Sequence, residues 1–97
     1  VDKKRSAQLF QKACDGGFII DCSNLGAMYF TADGVAEDKK RAASLFKKAC
    51  DGEHLHGCYS LGLIYKFGEG IKQNKEKAIK ILTDACKKGH KKACSEK

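Results

Sequence analysis

Residues 38–58 read DKKRAASLFKKACDGEHLHGC, and this stretch decides the fold. Ala43, Phe46, Ala49 and Cys50 fall at i, i+3, i+6 and i+7, which places them on one stripe of an α-helix. Asp38 is a suitable N-cap for that helix, and Lys47 and Lys48 suit the negative end of its dipole. Gly52 offers a left-handed stop. A second helix opens near Cys58 and carries Leu61, Gly62 and Tyr65. The stretch is therefore a helix, a tight turn and a helix, with one cysteine on each side of the turn.

Sliding the chain by 36 residues shows that the unit recurs. Asp2-Lys3-Lys4-Arg5 aligns with Asp38-Lys39-Lys40-Arg41, Leu9-Phe10 with Leu45-Phe46, and Lys12-Ala13-Cys14-Asp15-Gly16 with Lys48-Ala49-Cys50-Asp51-Gly52. Leu25-Gly26, Tyr29 and Gly34 return as Leu61-Gly62, Tyr65 and Gly70, and a partial third copy keeps Ala78, Leu82, Ala85 and Cys86. The 97 residues thus hold about two and two-thirds repeats in one domain, 1–97. The pattern predicts helices over 3–15, 20–32, 38–51, 56–67 and 74–88, and a truncated sixth near 90–96. Asp2 and Asn74 take the N-cap role of Asp38, and Lys87 and Lys88 the place of Lys47 and Lys48, while Gly16 and Gly89 act as stops like Gly52. There is no proline and no alternating run that would argue for strands. The fold class is all-α, a stack in which no unit buries its apolar face alone.

The six cysteines form three pairs of one spacing, Cys14/Cys22, Cys50/Cys58 and Cys86/Cys94, with none left over. A chain this small buries only roughly 60–65% of its unfolded surface, so cross-links would help it. Regular even cysteines favour disulfides in an oxidising compartment. A bridge closing nine residues stabilises by about 2.6 kcal/mol in the chain-entropy model. Free core cysteines and a metal site are the alternatives, and zinc thiolates are usually spaced two to four residues apart, which the seven-residue gap fits poorly. There is no apolar run of membrane-spanning length and no charged-then-apolar leader, so no membrane insertion is expected. The first residues already lie inside a repeat, and we read the chain as a piece of a longer exported protein.

The Leu-Gly-x-x-Tyr element at Leu25 to Tyr29 and Leu61 to Tyr65, the Gly-x-Val/Ile turn and the Ala-x3-Phe-x-x-Ala element at Ala42, Phe46 and Ala49 resemble Sel1-like repeats. These are relatives of tetratricopeptide repeats with a longer turn inside the unit. The cysteine at the end of one helix and its partner at the start of the next resemble the branch called Helicobacter cysteine-rich proteins. The resemblance implies a right-handed superhelix of antiparallel helix pairs, an α-solenoid with one disulfide per 36-residue repeat, secreted or periplasmic. It also implies a concave groove for a peptide or protein ligand. Carried over by position, the groove is lined by Ile20, Ser23, Asn24, Ala27, Phe30 and Thr31 in one repeat. In the next it is lined by His56, Tyr59, Ser60, Leu63, Lys66 and Phe67. Asn24, Phe30, Tyr59, Leu63, Lys66 and Phe67 are the candidate binding residues; the competing reading is that the aromatic ones pack against neighbouring repeats, as in a structural spacer.

The resemblance further implies β-lactam binding or weak β-lactamase activity, which the residues do not support. One S-x-x-K occurs, Ser44 to Lys47, but no Ser-Asp-Asn or Lys-Thr-Gly accompanies it, and its counterparts in the other copies are Gln8 and Lys80. No catalytic residue is therefore assigned. His54 and His56 sit two apart near Asp51 and Glu53, with His90 in the equivalent turn, and read as exposed turn histidines rather than zinc ligands. No cofactor is implied. The net charge of +7 comes from lysines that alternate with buried positions, the pattern of a solvated outer face rather than of a nucleic-acid stripe. A monomer, or one stretch of a longer solenoid, is expected.

Overall fold

The structure, a computed structural model, describes residues 2–96. Among the described residues it contains six helices: α1 (Lys3–Asp15), α2 (Ile19–Thr31), α3 (Lys39–Asp51), α4 (Leu55–Phe67), α5 (Lys75–Lys87) and α6 (Lys91–Glu96). Each packs antiparallel against its sequence neighbour, and α4 also touches α6, so the even helices form one layer of the stack and the odd helices the other.

Local chemistry sets the boundaries. The side chains of Asp2, Asp38 and Asn74 accept from the backbone N–H groups of Arg5, Arg41 and Lys77 at 3.1, 3.0 and 3.0 Å. These bonds satisfy donors that the first turn of a helix would leave orphaned, each contributing ~1 kcal/mol. The odd helices end in the two-bond motif that a left-handed residue makes possible. The Phe18, His54 and His90 N–H groups return to the Ala13, Ala49 and Ala85 carbonyls, each at 3.0 Å. The left-handed residue is not where the sequence put it in the first two repeats. Gly16 and Gly52 have φ of −81° and −86°, and the positive φ falls one residue later, at Gly17 (98°), Glu53 (66°) and Gly89 (110°). Gly52 is small for another reason: a Cβ there would lie 2.8 Å from the Ile19 side chain.

The even helices α2 and α4 end in the same way, at Ala32 (φ 57°) and Gly68 (φ 70°). Ala32 occupies a conformation that costs an L-residue about 1–2 kcal/mol, and it is exposed. Ala32→Gly should therefore raise stability by ~0.5–1 kcal/mol after the extra entropy of the unfolded glycine is subtracted. A higher denaturant midpoint at unchanged slope is the expected reading, and an unchanged or lower midpoint would contradict it.

Packing is sequential, one core per step of the stack. Ala7, Cys14, Cys22, Leu25, Met28, Leu45 and Ala49 make the first; Ala42, Ala43, Phe46, Leu61 and Ile64 the second; Cys58, Leu82, Ala85 and Ala93 the third. The repeated glycine of the Leu-Gly element lets each even helix approach the next odd one. A Cβ on Gly26 would lie 3.1 Å from the Phe46 ring, and one on Gly62 would lie 2.6 Å from Leu82. Disulfides join Cys14 to Cys22, Cys50 to Cys58 and Cys86 to Cys94, with Cα separations of 4.7, 4.4 and 4.8 Å. Each bridge spans one of the odd-to-even turns and pins the two helices flanking it.

Tyr29 and Tyr65 close the longer turns. Their carbonyls accept from the Asp38 and Asn74 N–H groups, both at 2.9 Å, and their rings carry Arg41 and Lys77, each 4.8 Å from the ring centroid. Lys3 with Asp33 and Lys39 with Glu69 repeat one ion pair between the start of an odd helix and the turn that precedes the next odd helix, at 3.2 and 2.7 Å. The carboxylate bonded to Lys39 raises that ammonium's pKa above its ordinary value. Such exposed pairs fix geometry more than they stabilise.

Candidate functional site

The even-helix layer leaves a furrow between α2 and α4. Helical spacing brings Ala27, Phe30 and Thr31 from α2 to one side of it, and Ser60, Leu63, Ile64 and Phe67 from α4 to the other. The edge of Phe46 forms part of its lining, with Glu69 of the α4–α5 turn also at the cavity, whose volume is about 340 Å³. The lining is almost wholly apolar, and Phe67 is 60% exposed at it. Phe67 is thus part of a contiguous apolar concavity rather than a singly exposed side chain, and it is the contiguous patch that marks a contact surface.

Of the candidate binding residues, Phe30, Leu63 and Phe67 converge on this cavity. Lys66 stands beside it: its ammonium lies 5.4 Å from the Phe67 ring centroid and bonds the Glu96 carboxylate and carbonyl, each at 3.1 Å. Lys39 does the same for Phe30, at 5.0 Å. Asn24 is exposed on α2 but does not line the cavity. Tyr59 is turned elsewhere; it is half-buried in the third core and stacks on His90 with ring centroids 4.8 Å apart. Of the wider set of groove positions, Ser23 is buried. Phe46, Ile64 and Glu69 went unread as lining residues. Phe46 and Ile64 are second-core residues whose outer edges also form the groove floor, and the sequence signal for them was identical to that of any core position.

The histidines are not simply exposed. His54 and His90 are half-buried and His56 exposed, and His56 has ring centroids 6.2 Å from His54 and 6.1 Å from His90. Burial, then the neighbouring His56 and His90, push the pKa of His54 down. Among the described residues no three His, Cys, Asp or Glu side chains converge to hold a metal ion. Ser44 is exposed on α3, and the Lys47 ammonium is bonded to Asp51 at 3.0 Å rather than offered to a serine hydroxyl. Lys40, Lys48 and Lys80 of the odd helices lie exposed, and among the described residues no helix is long and apolar enough to cross a membrane.

The Sel1 repeat family model matches residues 1–18, 21–54 and 55–90. The chain belongs to the Sel1 repeat family. Among solved structures, cysteine rich protein B of Helicobacter pylori superposes with a TM-score of 0.92 at 31% identity, over 100% of this chain and 73% of that one. A Sel1 repeat protein from Oxalobacter formigenes gives 0.88 at 24% identity, over 93% and 37% of the two chains. The protein c5321, described as a protective antigen of uropathogenic Escherichia coli strains, gives 0.86 at 24%, over 90% and 19%. The last two likenesses carry the fold alone, and this chain spans well under half of either. No curated protein shows a significant sequence match. As a Sel1 repeat protein the chain is a right-handed superhelix of antiparallel helix pairs, and the disulfide of each repeat sits on the Sel1 helix turn.

Proposed function

We propose that this protein is a disulfide-stapled interaction scaffold of an oxidising, secreted or periplasmic compartment, and that it anchors an extended peptide or protein segment between α2 and α4. The observation that carries the reading is the apolar cavity of about 340 Å³ with Phe30, Leu63 and Phe67 around it and Phe67 open to solvent. Sel1 repeats generally serve protein–protein interaction, which supports a macromolecular occupant. Three disulfides, and a 31% identical relative that is itself named cysteine rich, support the compartment. Membership of a longer solenoid is supported by α1. Leu45 is 8% exposed because α2 covers it, whereas its equivalent Leu9 is 61% exposed.

The test selects peptides from a displayed random library against the oxidised protein and measures the best of them on variants. Truncating an aromatic anchor typically costs ~2 kcal/mol, so Phe67→Ala should weaken binding roughly thirtyfold. Phe30→Ala should also weaken it, and the outer-face change Lys48→Ala should leave affinity within about twofold, since an uninvolved surface charge contributes little. Because Phe67 is solvent-exposed, helicity by circular dichroism should be unchanged. Equal affinities in all four proteins would remove the groove reading and favour a structural spacer.

A further inference from the structure

The ring cluster at the joint between the second and third repeats lies outside the groove and gathers three imidazoles around one tyrosine ring. His54 is the N-cap residue of α4, His56 lies in its first turn, and Tyr59 follows one turn on. His90 immediately precedes α6, and its Nδ1 accepts from the Ala93 N–H at 3.2 Å, a bond only an unprotonated Nδ1 can accept. The His90 ring stacks on Tyr59 with 25° between planes, and the His56 ring lies 6.2 Å from Tyr59. All three imidazoles thus stand at the starts of α4 and α6, where aligned peptide dipoles disfavour a cation.

The charged groups around the cluster offer little compensation. Glu53, beside His54, bonds Lys88 across the same gap at 2.8 Å, and Lys88 also holds Asp84 of α5 at 3.2 Å. These two carboxylates raise the pKa of Lys88, and are already paired. Lys91 and Lys92 of α6 add only positive charge, and Lys66 of α4 is taken up with Glu96 at the far end of α6. The charges that act on His54 are the other two imidazoles, both pushing its pKa down. A depressed histidine contributes stability in full above its unfolded pKa, and that contribution is lost as pH falls through the depressed folded value.

We propose that His54, His56, His90 and Tyr59 form an acid-sensitive joint between neighbouring repeats, closed while the imidazoles are neutral and loosened when they are protonated. Protonation removes the His90 cap and gathers like charges about 6 Å apart, as the ring separations of 6.1 and 6.2 Å define. α6 is short, with Ala93 its buried residue, so it has little packing to resist with. The Cys86–Cys94 disulfide keeps it tethered, which makes the opening local and reversible. Loosening α6 also releases Lys66 from Glu96. The joint operates whatever the groove binds.

The test is hydrogen exchange of the α6 amides in the intact oxidised protein at pH 7.5 and 5.0, corrected for intrinsic exchange rates and referenced to α3. Protection in α6 should fall about tenfold at the lower pH, the combined size of a lost cap and a like-charge pair. His90→Asn supplies a side-chain oxygen that can cap α6 at either pH, and His56→Gln removes one facing charge. The double variant should keep its α6 protection at pH 5.0, and His56→Gln alone, at an exposed position, should recover part of it. Unchanged protection in the natural protein, an equal loss in the variants, or a loss shared equally by α3 would each overturn the joint.

Discussion

Reducing all three disulfides should unfold this protein at physiological temperature. In the chain-entropy model each bridge closes nine residues and is worth about 2.6 kcal/mol, together on the order of 8. Small domains retain only ~5–15 kcal/mol in total. For a chain of this size each kilocalorie is worth about 4–8 °C of melting temperature, so the oxidised and reduced proteins should melt at least ~30 °C apart. Intact mass should change by six hydrogens, one pair for each of the bonds Cys14–Cys22, Cys50–Cys58 and Cys86–Cys94. The bridges should not be equal. Cys14 and Cys22 are buried in the first core, so replacing both with serine also places two hydroxyls among apolar neighbours. Cys94 is exposed on the short α6, so loss of its bridge should cost least. A reduced protein melting within about 5 °C of the oxidised one would mean that interhelix packing alone sets the turns, and would sink the staple argument.

Features present in two or more copies could be read before any coordinates, because each copy tests the other. The caps at Asp2, Asp38 and Asn74 and the glycine opposite Phe46 and Leu82 belong to this class. Repetition does not say why a residue recurs, however. Gly16 and Gly52 looked like left-handed stops, yet the positive φ belongs to Gly17 and Glu53, and Gly52 is held small by Ile19. A stop and a close approach impose the same residue type one position apart, and sequence alone does not separate them.

The site was legible only where it obeyed the repeat. Phe30 and Phe67 sit near corresponding ends of α2 and α4 and meet at the cavity as their helical phase implies. Tyr59 shares a phase with Ser23, but the two behave differently. Ser23 is buried, while Tyr59 leans on His90, a residue 31 positions away that no periodicity links to it. The Glu53–Lys88 pair is equally private to one joint, since glycine replaces Glu53 in the other two copies. Interactions made once per chain leave no second copy to compare, and the His54, His56, His90 and Tyr59 cluster is composed of them.

Gly70→Ala should be among the most damaging single changes in the chain outside the cysteines, although Gly70 is exposed and far from any core centre. Two costs add. Its φ of 79° is a conformation that an L-residue enters at ~1–2 kcal/mol. A Cβ there would also lie 2.5 Å from the Lys39 Cβ, 2.8 Å from the Lys39 carbonyl carbon and 2.9 Å from the Lys40 nitrogen. A flexible side-chain tip could swing aside, but the first turn of α3 is held by the Asp38 cap and cannot. Overlap of this kind typically costs a further ~1–3 kcal/mol, giving ~2–5 in all and a melting temperature lower by about 8–40 °C. Gly89 separates the two contributions: its φ is 110°, yet nothing lies within 4 Å of a Cβ built on it, so Gly89→Ala should show the backbone cost alone. The consequence reaches the groove. Gly70 follows Glu69, which lines the cavity and holds Lys39 over Phe30, so a turn forced off α3 carries that rim with it. Gly70→Ala should therefore weaken binding of a groove-selected peptide even at a temperature where the variant remains folded. Equal destabilisation by the two substitutions, with peptide affinity unchanged, would show that the turn yields without moving the rim, and that the glycine is there for its φ alone.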